Sequence, residues 1–234
     1  MSSRSELRLD WCPYNAAKFA VENWHYSKRM PIGKIVRIGV WENNGFIGAV
    51  LFSRGASHQL GQQYGLNQTQ CCELTRVALK EHKTQVSRIV AVAVRMLKKH
   101  CPRLRLIVSF ADPIQGHHGG IYQASNWTYT GKSLDTWEWF HEGRWKHVRE
   151  VSGGAFGGER KIKNTFLLPR RRAIGKHRYL MPFDDEMRST VEPMRKPYPK
   201  RAGSIDADAL ADQAGEGGSI PTSALHLDES RRNT

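Results

Sequence analysis

A strand–helix–strand pattern runs from residue 73 to residue 110 and sets the expected fold class. Residues 73–79 read as a strand, and the apolar residues from Val86 to Leu97 recur at helical spacing. Basic residues at 98–100 suit the carboxyl end of a helix, and a proline at position 102 stops it. The mostly apolar run 104–110 is typical of a parallel strand that is covered on both faces.

Two antiparallel hairpins extend this unit. Strand-forming runs within 34–53 flank Glu42-Asn43-Asn44-Gly45, and an Asn-Gly pair tolerates positive φ at both turn positions. Two aromatic-rich runs within 136–148 flank Glu142-Gly143. The other expected elements are helices at 15–21 and 119–126 and a strand at 127–131. The sequence therefore predicts an α/β (α+β) fold with a mixed central sheet and flanking helices.

The charge of the chain points to a polyanionic partner. The 234 residues include 36 Lys and Arg against 22 Asp and Glu, a net charge of +14. Residues 203–234 hold six acids and two bases, so the preceding part carries +18. A domain this basic attracts polyanions, most simply nucleic acid. A soluble domain with a basic surface and no polyanion partner is the alternative.

The distribution of charge and apolar residues suggests three parts. We predict a folded domain over 1–150, a basic extension over 151–202 and a disordered acidic tail over 203–234. The tail has almost no large apolar residues, so it cannot offset its ordering entropy. No apolar run reaches the length of a membrane span, and the N-terminus lacks the apolar stretch of a secretory signal. We therefore expect a cytoplasmic protein with no membrane partner.

The four cysteines carry little chemical information. They show neither a Cys-x-x-Cys motif nor a Cys/His spacing that suits a metal. Cys71 and Cys72 would point to opposite sides of an extended segment. Reduced, structural thiols are the simplest interpretation.

Asp112 is the strongest candidate for chemistry on position alone. It follows the predicted strand 104–110, and ligands bind outside the carboxyl ends of parallel strands. The loop 113–120 then supplies three glycines and the adjacent His117 and His118. A carboxylate near imidazoles suits a general base or a metal ligand. The alternative is that Asp112 simply starts a turn and that the two histidines are solvated.

Three further features have both a functional and an ordinary interpretation. Residues 25–31 (His-Tyr-Ser-Lys-Arg-Met-Pro) concentrate titratable groups, although polar loops are common. Tyr122 lies in the short helix after the glycine loop, where a tyrosine is often a core residue. The helix start near Thr84 could bind phosphate with help from Lys83 and Arg88, or Thr84 could be an ordinary N-cap.

Three blocks of the sequence together resemble a known family. They are residues 25–34 (HYSKRMPIGK), 72–79 (CELTRVAL) and 109–127, from Ser-Phe-Ala-Asp to Trp127. In this order they resemble the Mom DNA-modification proteins of Mu-like bacteriophages over residues 15–150. The resemblance implies an enzyme that converts adenine in double-stranded DNA to N6-carbamoylmethyladenine and shields phage DNA from restriction in the infected host cell. It also implies a fold similar to the Gcn5-related N-acetyltransferases, with an acetyltransferase-like catalytic domain over residues 1–150 and a DNA-contacting role for the basic extension over 151–202.

The resemblance also implies site residues. The functional residues that it transfers are His25, Tyr26, Arg76, Asp112 and Tyr122, with Tyr122 in the position of the acid. The strand–helix junction after Leu79 would hold the pyrophosphate of an acyl-coenzyme A. The donor-binding residues expected there are Arg76, Leu79, Lys83, Ser87 and Arg88. An iron requirement is implied too, and the expected ligands are His25 and Asp112, because imidazole and carboxylate suit Fe(II).

The sequence leaves open which molecule donates the transferred group and which molecule accepts it. His82, Gln85 and Ser87 stand where the acetyltransferase signature has Arg or Gln and two glycines. Acyl transfer would also put a carbonyl on N6, whereas the implied product has a methylene there. The donor is therefore an acyl-coenzyme A with a later rearrangement, or another small acyl or glycyl donor. The rival functions are acyl-coenzyme A-dependent acetylation of a protein or small-molecule amine, and non-enzymatic coating of DNA. The sequence leaves the oligomeric state open.

Overall fold

A computed structural model describes residues 6–55, 59–147, 151 and 165–200. The main compact unit spans Met1–Pro199. Its strands are β1 (Leu7–Trp11), β2 (Ile35–Glu42), β3 (Gly45–Ser53), β4 (Cys71–Leu79), β5 (Leu106–Ala111), β6 (Thr128–Lys132), β7 (Thr136–His141), β8 (Arg144–His147), β9 (Arg170–Ala173) and β10 (His177–Pro182). Its helices are α1 (Tyr14–Trp24), α2 (Val86–His100), α3 (Gly120–Gln123) and α4 (Asp185–Val191). None of the described helices is long and apolar enough to cross a membrane.

The strands form two sheets. The large sheet has the order β1-β2-β3-β4-β5-β10-β6, in which β4 and β5 are parallel and every other pair is antiparallel. The predicted mixed α/β class is therefore confirmed. The small sheet has the order β8-β7-β9. β10 comes from the segment that we predicted to be a basic extension, yet it lies inside the large sheet between β5 and β6. The division of roles at residue 150 stays a prediction, and the predicted disordered tail lies outside the described residues.

The local predictions differ from the structure at three points. The first hairpin turns on Asn43 and Asn44, with φ of 48° and 64°, one residue earlier than the predicted Asn-Gly turn. The predicted helix 119–126 is the single turn α3, and Asn126 within the predicted range adopts a left-handed φ of 58°. β1 was not predicted, although Leu7, Leu9 and Trp11 alternate with polar residues as in a half-buried strand. All four cysteines are free, as predicted.

The helices cover the large sheet with apolar faces. α2 buries Ile89, Val90, Ala93, Val94 and Leu97, and α1 buries three small residues against β3 and β4. Complete burial of a side chain such as Leu97 contributes about 1.5–3 kcal/mol. The core thus fixes the strands whose carboxyl ends matter for the site.

One edge of the large sheet brings several chain segments together. Because β5 and β6 both pair antiparallel with β10, their carboxyl ends and the start of β10 lie at the same edge as the end of β4. We call it the carboxyl edge. Residues 133–135 connect the carboxyl edge to the small sheet, and residues 174–176 connect the small sheet back to the carboxyl edge. Two hydrogen bonds join these connecting segments. The Ser133 N–H donates to the Lys176 carbonyl oxygen at 2.8 Å, and the Lys176 N–H donates to the Ser133 hydroxyl oxygen at 2.9 Å.

Candidate active site at the carboxyl edge

The parallel strands β4 and β5 separate at the carboxyl edge. Their paired register ends with Leu74 opposite Ser109, although β4 continues to Leu79 and β5 to Ala111. The Ser109 hydroxyl donates to the Leu74 carbonyl oxygen at 2.9 Å and lies 2.7 Å from the Tyr122 hydroxyl. Because a carbonyl oxygen only accepts, this arrangement makes Tyr122 the donor to Ser109. The Tyr122 hydroxyl therefore lies where the two strands part.

Tyr122 is buried and protonated. Its side chain is 6% exposed, and its ring centroid lies 5.0 Å from those of Trp127 and Tyr179. Burial raises the pKa of Tyr122 to about 12. α3 begins after Gly119, which has a φ of 87° and where a Cβ would lie 2.2 Å from the Tyr179 ring. At neutral pH Tyr122 therefore offers a proton at a fixed position.

His25 and Tyr26 follow α1 and stack on each other. His25 Nδ1 accepts a hydrogen bond from the Ser27 N–H at 3.1 Å and lies 2.8 Å from Ser27 Oγ. The His25 and Tyr26 ring centroids are 4.3 Å apart, and the Tyr26 ring meets His117 edge-on at 5.5 Å. Because Nδ1 accepts, the neutral imidazole of His25 carries its proton on Nε2.

The surroundings of His25 keep its imidazole neutral. The side chain is buried, and this burial, followed by the nearby Arg76, His117 and Lys176, lowers the pKa of His25 to about 4. A neutral imidazole with its proton on Nε2 donates a hydrogen bond. His25 is therefore suited to orient an acceptor atom of a substrate.

Asp112 combines a structural contact with a contact to the site. One carboxylate oxygen accepts from the Ile114 N–H at 3.1 Å, which caps the short helix Pro113–Gln115. The other lies 2.8 Å from Lys176 Nζ, and the Asp112 carbonyl accepts from the His117 N–H at 3.1 Å. Asp112 thus starts a turn and also lies among titratable groups, and its role as a general base stays a prediction.

Arg76 joins β4 to the segment that follows His25. Its Nε donates to the Arg29 carbonyl at 3.3 Å, and its Nη1 donates to the Thr75 carbonyl at 2.7 Å. Burial lowers the pKa of Arg76, while Tyr26 and Glu73 act in the opposite direction. We call the group around it the polar cluster: His25, Tyr26, Arg76, Asp112, His117 and Lys176.

The structure brings the predicted catalytic residues to one place. His25, Tyr26 and Asp112 belong to the polar cluster, and Tyr122 is close enough to Tyr26 for its pKa to be influenced by it. Their chemical roles stay predictions. Sequence reasoning missed Lys176 and Ser109. Ser109 is the only polar residue in the apolar run of β5, which could have indicated a functional residue. The residues around Lys176 in the sequence give no such indication.

The predicted donor-binding residues lie at the junction between β4 and α2. The N-cap of α2 is Gln85, not Thr84. The N–H groups of Lys83 and Thr84 donate to the Glu42 carboxylate at 2.9 and 2.8 Å. These two amides are therefore engaged by an acid, and a phosphate would have to bind through the Lys83 and Arg88 side chains and the first turn of α2. The assignment of Leu79, Lys83, Ser87 and Arg88 to donor binding stays a prediction.

The polar cluster does not fit the expected iron ion. The Lys176 ammonium lies on the Asp112 carboxylate, where a metal would bind, and His25 Nδ1 is engaged by Ser27. Within residues 6–55, 59–147, 151 and 165–200, no group of three or more His, Cys, Asp or Glu side chains is arranged to hold a metal ion. The expectation that His25 and Asp112 ligate iron therefore receives no support.

The fold and the site define an α/β protein with titratable groups at the carboxyl ends of two diverging parallel strands. The chain belongs to the Mom protein family, whose model matches residues 6–200. It is 26% identical over 163 residues to the methylcarbamoylase Mom of Escherichia phage Mu, covering 67% of this chain and 66% of the relative. The chain thus spans slightly less than two thirds of that relative.

Two solved structures show a partial likeness. A protein from Acinetobacter baylyi assigned as an acetyltransferase matches with a TM-score of 0.42 and 12% identity over 85% of this chain and 100% of that one. An N-acyl amino acid synthase from uncultured soil microbes matches with a TM-score of 0.42 and 13% identity over 80% of this chain and 94% of that one.

Proposed function

We propose that the protein transfers a carbamoylmethyl group to N6 of adenine in duplex DNA in the infected host cell, and that this protects phage DNA from restriction. Membership of the Mom family supports DNA modification, and the name of the phage Mu relative, a methylcarbamoylase, supports the kind of group that is transferred. The observation that carries the proposal is the Asp112 carboxylate within the polar cluster, with the protonated Tyr122 close by.

The adenine must leave the duplex before it can react. Its N6 is buried in the base stack and is a weak nucleophile, because its lone pair is delocalised into the ring. We infer that the basic stretch of the sequence over residues 144–201 supplies contacts to the phosphates and that the base is flipped to the end of β5. There the Nε2–H of His25 would donate to a ring nitrogen of the adenine and orient it.

The transfer then needs a proton acceptor and a proton donor. N6 forms a bond to the methylene carbon of the donor and gives its proton to the Asp112 carboxylate. The bond between that carbon and the leaving group breaks with its electron pair on the leaving group, which receives the Tyr122 proton once the Tyr122 hydroxyl has turned from Ser109 to the leaving group. Arg76 would neutralise negative charge on the donor. Lys176 supplies the positive charge that balances Asp112 before the transfer.

The donor would lie in the opening between β4 and β5. When bound, it supplies the electrophilic carbon. Leu79 and the side chains of Lys83, Ser87 and Arg88 at the start of α2 would hold its anionic part. Because Glu42 engages the amides of Lys83 and Thr84, a small donor fits this junction better than the diphosphate of coenzyme A. An acyl-coenzyme A donor remains the alternative, with the rearrangement that it requires.

Mass spectrometry of DNA nucleosides tests the proposal. The gene is expressed in bacteria, the DNA is digested, and we expect an adenosine that is heavier by one carbamoylmethyl group. Asp112→Asn should lower its yield about 100-fold or more, which is the size of a general-base contribution. Tyr122→Phe should also lower it, because the buried proton donor is lost.

Asp10→Asn is the matched control. Asp10 is exposed, contacts Arg8 at 3.5 Å and lies outside the polar cluster, so the modified nucleoside should form at the wild-type level. Unchanged modification in Asp112→Asn would refute the role of the carboxylate. Turnover of acetyl-coenzyme A without DNA and without a modified nucleoside would favour acetylation of another amine instead.

A further inference from the structure

The small sheet carries aromatic and basic residues in register. Trp137 lies opposite Arg172, and Trp139 lies opposite Arg170. Residues that are directly opposite share a face, and alternate residues along a strand return to it. We call this surface the Trp137 face, which consists of Trp137, Trp139, Arg170 and Arg172.

On the opposite face of the small sheet lies one arginine of β9, Arg171, which is paired with an acid of the same sheet. Arg171 donates to the Glu138 carboxylate through Nε at 3.0 Å and Nη2 at 2.8 Å. Its guanidinium carbon also lies 4.4 Å from the centroid of the Trp145 ring. Arg171 is therefore committed to contacts within the small sheet.

The Trp137 face leaves its two arginines exposed to solvent. The Arg170 guanidinium lies 4.6 Å from the centroid of the Trp137 ring, which is itself 43% exposed. The Arg172 side chain is 72% exposed and meets Asp135 through Nε at 3.1 Å. A guanidinium that stacks on a ring keeps its N–H groups, which point outward in the plane of the guanidinium, accessible to an anion. This face therefore combines flat apolar area with accessible positive charge.

The position of the small sheet connects this face to the polar cluster. The chain leaves the large sheet after Lys132 and re-enters it at His177, and both residues pair with each other at the carboxyl edge. Lys176, the last residue of the returning segment, contacts Asp112. A polymer bound to the small sheet is thus attached to the edge of the molecule where the candidate reaction occurs.

We propose that the Trp137 face is the docking surface for duplex DNA. This inference rests on the proposed function and adds which part of the basic stretch holds the polymer. Arg170 and Arg172 lie two residues apart on one strand, about 7 Å, which is comparable to the separation of neighbouring phosphates on a DNA strand. The Trp137 ring would pack against sugars or exposed base edges, and the two guanidinium groups would bind phosphates.

Fluorescence anisotropy with a short fluorescein-labelled duplex tests the proposal. Arg170→Gln combined with Arg172→Gln should weaken binding about tenfold or more. It should also lower the slope of log affinity against log salt by about 2, one unit for each phosphate that the variant no longer binds. Arg171→Gln is the control, because it removes one positive charge from the same strand on the opposite face, and it should bind as the wild type does, whereas Arg170→Gln or Arg172→Gln alone, which also removes one charge, should weaken binding. Equally weakened binding in the double variant and in Arg171→Gln would overturn the proposal.

Photocrosslinking of the wild-type protein gives a second measurement that does not depend on the folding of a variant. A duplex with 5-iodouracil should crosslink to the peptide that contains Trp137, as read by mass spectrometry. Crosslinks only outside 136–147 and 170–173, in a protein that still modifies adenine, would overturn this inference and leave the proposed function standing. A wild-type protein that neither binds nor modifies the duplex would overturn the proposed function itself.

Discussion

The large and the small sheet use tryptophan in opposite ways. Trp127, next to β6, is fully buried and packs on Tyr122 at 5.0 Å. Trp137 in β7 is 43% exposed and is covered in part by Arg170. Among the described residues, the three apolar clusters contain no member of β7, β8 or β9. The large sheet is therefore held by burial, whereas the described contacts of the small sheet are hydrogen bonds, ion pairs and ring contacts.

This difference in burial indicates which sheet can bind a partner and which one stabilises the fold. Burial of apolar area stabilises a fold strongly but leaves no surface for a partner. Exposed ring and guanidinium contacts stabilise weakly, and they leave both groups accessible. The small sheet thus has the composition of a binding surface, and the large sheet has that of a scaffold.

Replacing one tryptophan in each sheet region gives the largest expected contrast. Trp127→Ala removes a fully buried ring and should lower the free energy of unfolding by about 3–5 kcal/mol. Trp137→Ala removes an exposed ring and should cost less than about 1 kcal/mol. Urea unfolding followed by circular dichroism measures both. Trp127→Phe is the control, because it retains most of the buried ring area and should cost less than the alanine variant. Equal destabilisation by Trp127→Ala and Trp137→Ala would contradict the comparison.

The buried histidine of the large-sheet region makes stability depend on pH. The pKa of His25 is about 4 in the folded protein, against 6.5 for an ordinary histidine. The unfolded chain therefore binds the proton first as the pH falls, and stability is lost from pH 6.5 towards pH 4. By pH 5 this loss amounts to about 2 kcal/mol.

Urea unfolding at pH 7 and pH 5 checks this expectation. His25→Gln cannot take up the proton, so its stability should fall less between the two pH values than that of the wild type. His177, whose pKa burial also lowers, acts in the same direction and remains in both proteins. An identical fall in the wild type and in His25→Gln would show that His25 is not the cause.

The sequence predicted the parts of the fold that depend on local periodicity. The helical spacing of α2, the apolar run of β5 and the two hairpins all followed from residues close together in the chain. The strand β9 did not, because Arg170-Arg171-Arg172 has no strand pattern. It forms by pairing with β7, which lies more than thirty residues earlier in the chain. There Glu138 accepts hydrogen bonds from Arg171, and the Trp137 ring packs against the Arg170 guanidinium.

The candidate site divides in the same way. Asp112 could be placed from the sequence, because it follows a recognisable strand, and His25 and Tyr26 were transferred as one block. Lys176 could not be placed, since its contact with Asp112 depends on β10 pairing beside β5. The engagement of the Lys83 and Thr84 amides by Glu42 likewise depends on how the first hairpin packs against the start of α2.

The smallest expected effect concerns Arg171 in the small sheet. Arg171→Lys keeps the charge but removes the flat stacking on Trp145 and the paired hydrogen bonds to Glu138, so it should cost about 0.5–1 kcal/mol. Because Arg171 is half-exposed, added salt should reduce this difference, but the ring contact should preserve part of it. Urea unfolding at low and high salt measures both effects. Arg95→Lys on the exposed side of α2 is the control and should leave stability unchanged within error. A cost for Arg171→Lys of several kcal/mol would mean that the small sheet depends on this one side chain as strongly as the large sheet depends on its buried core.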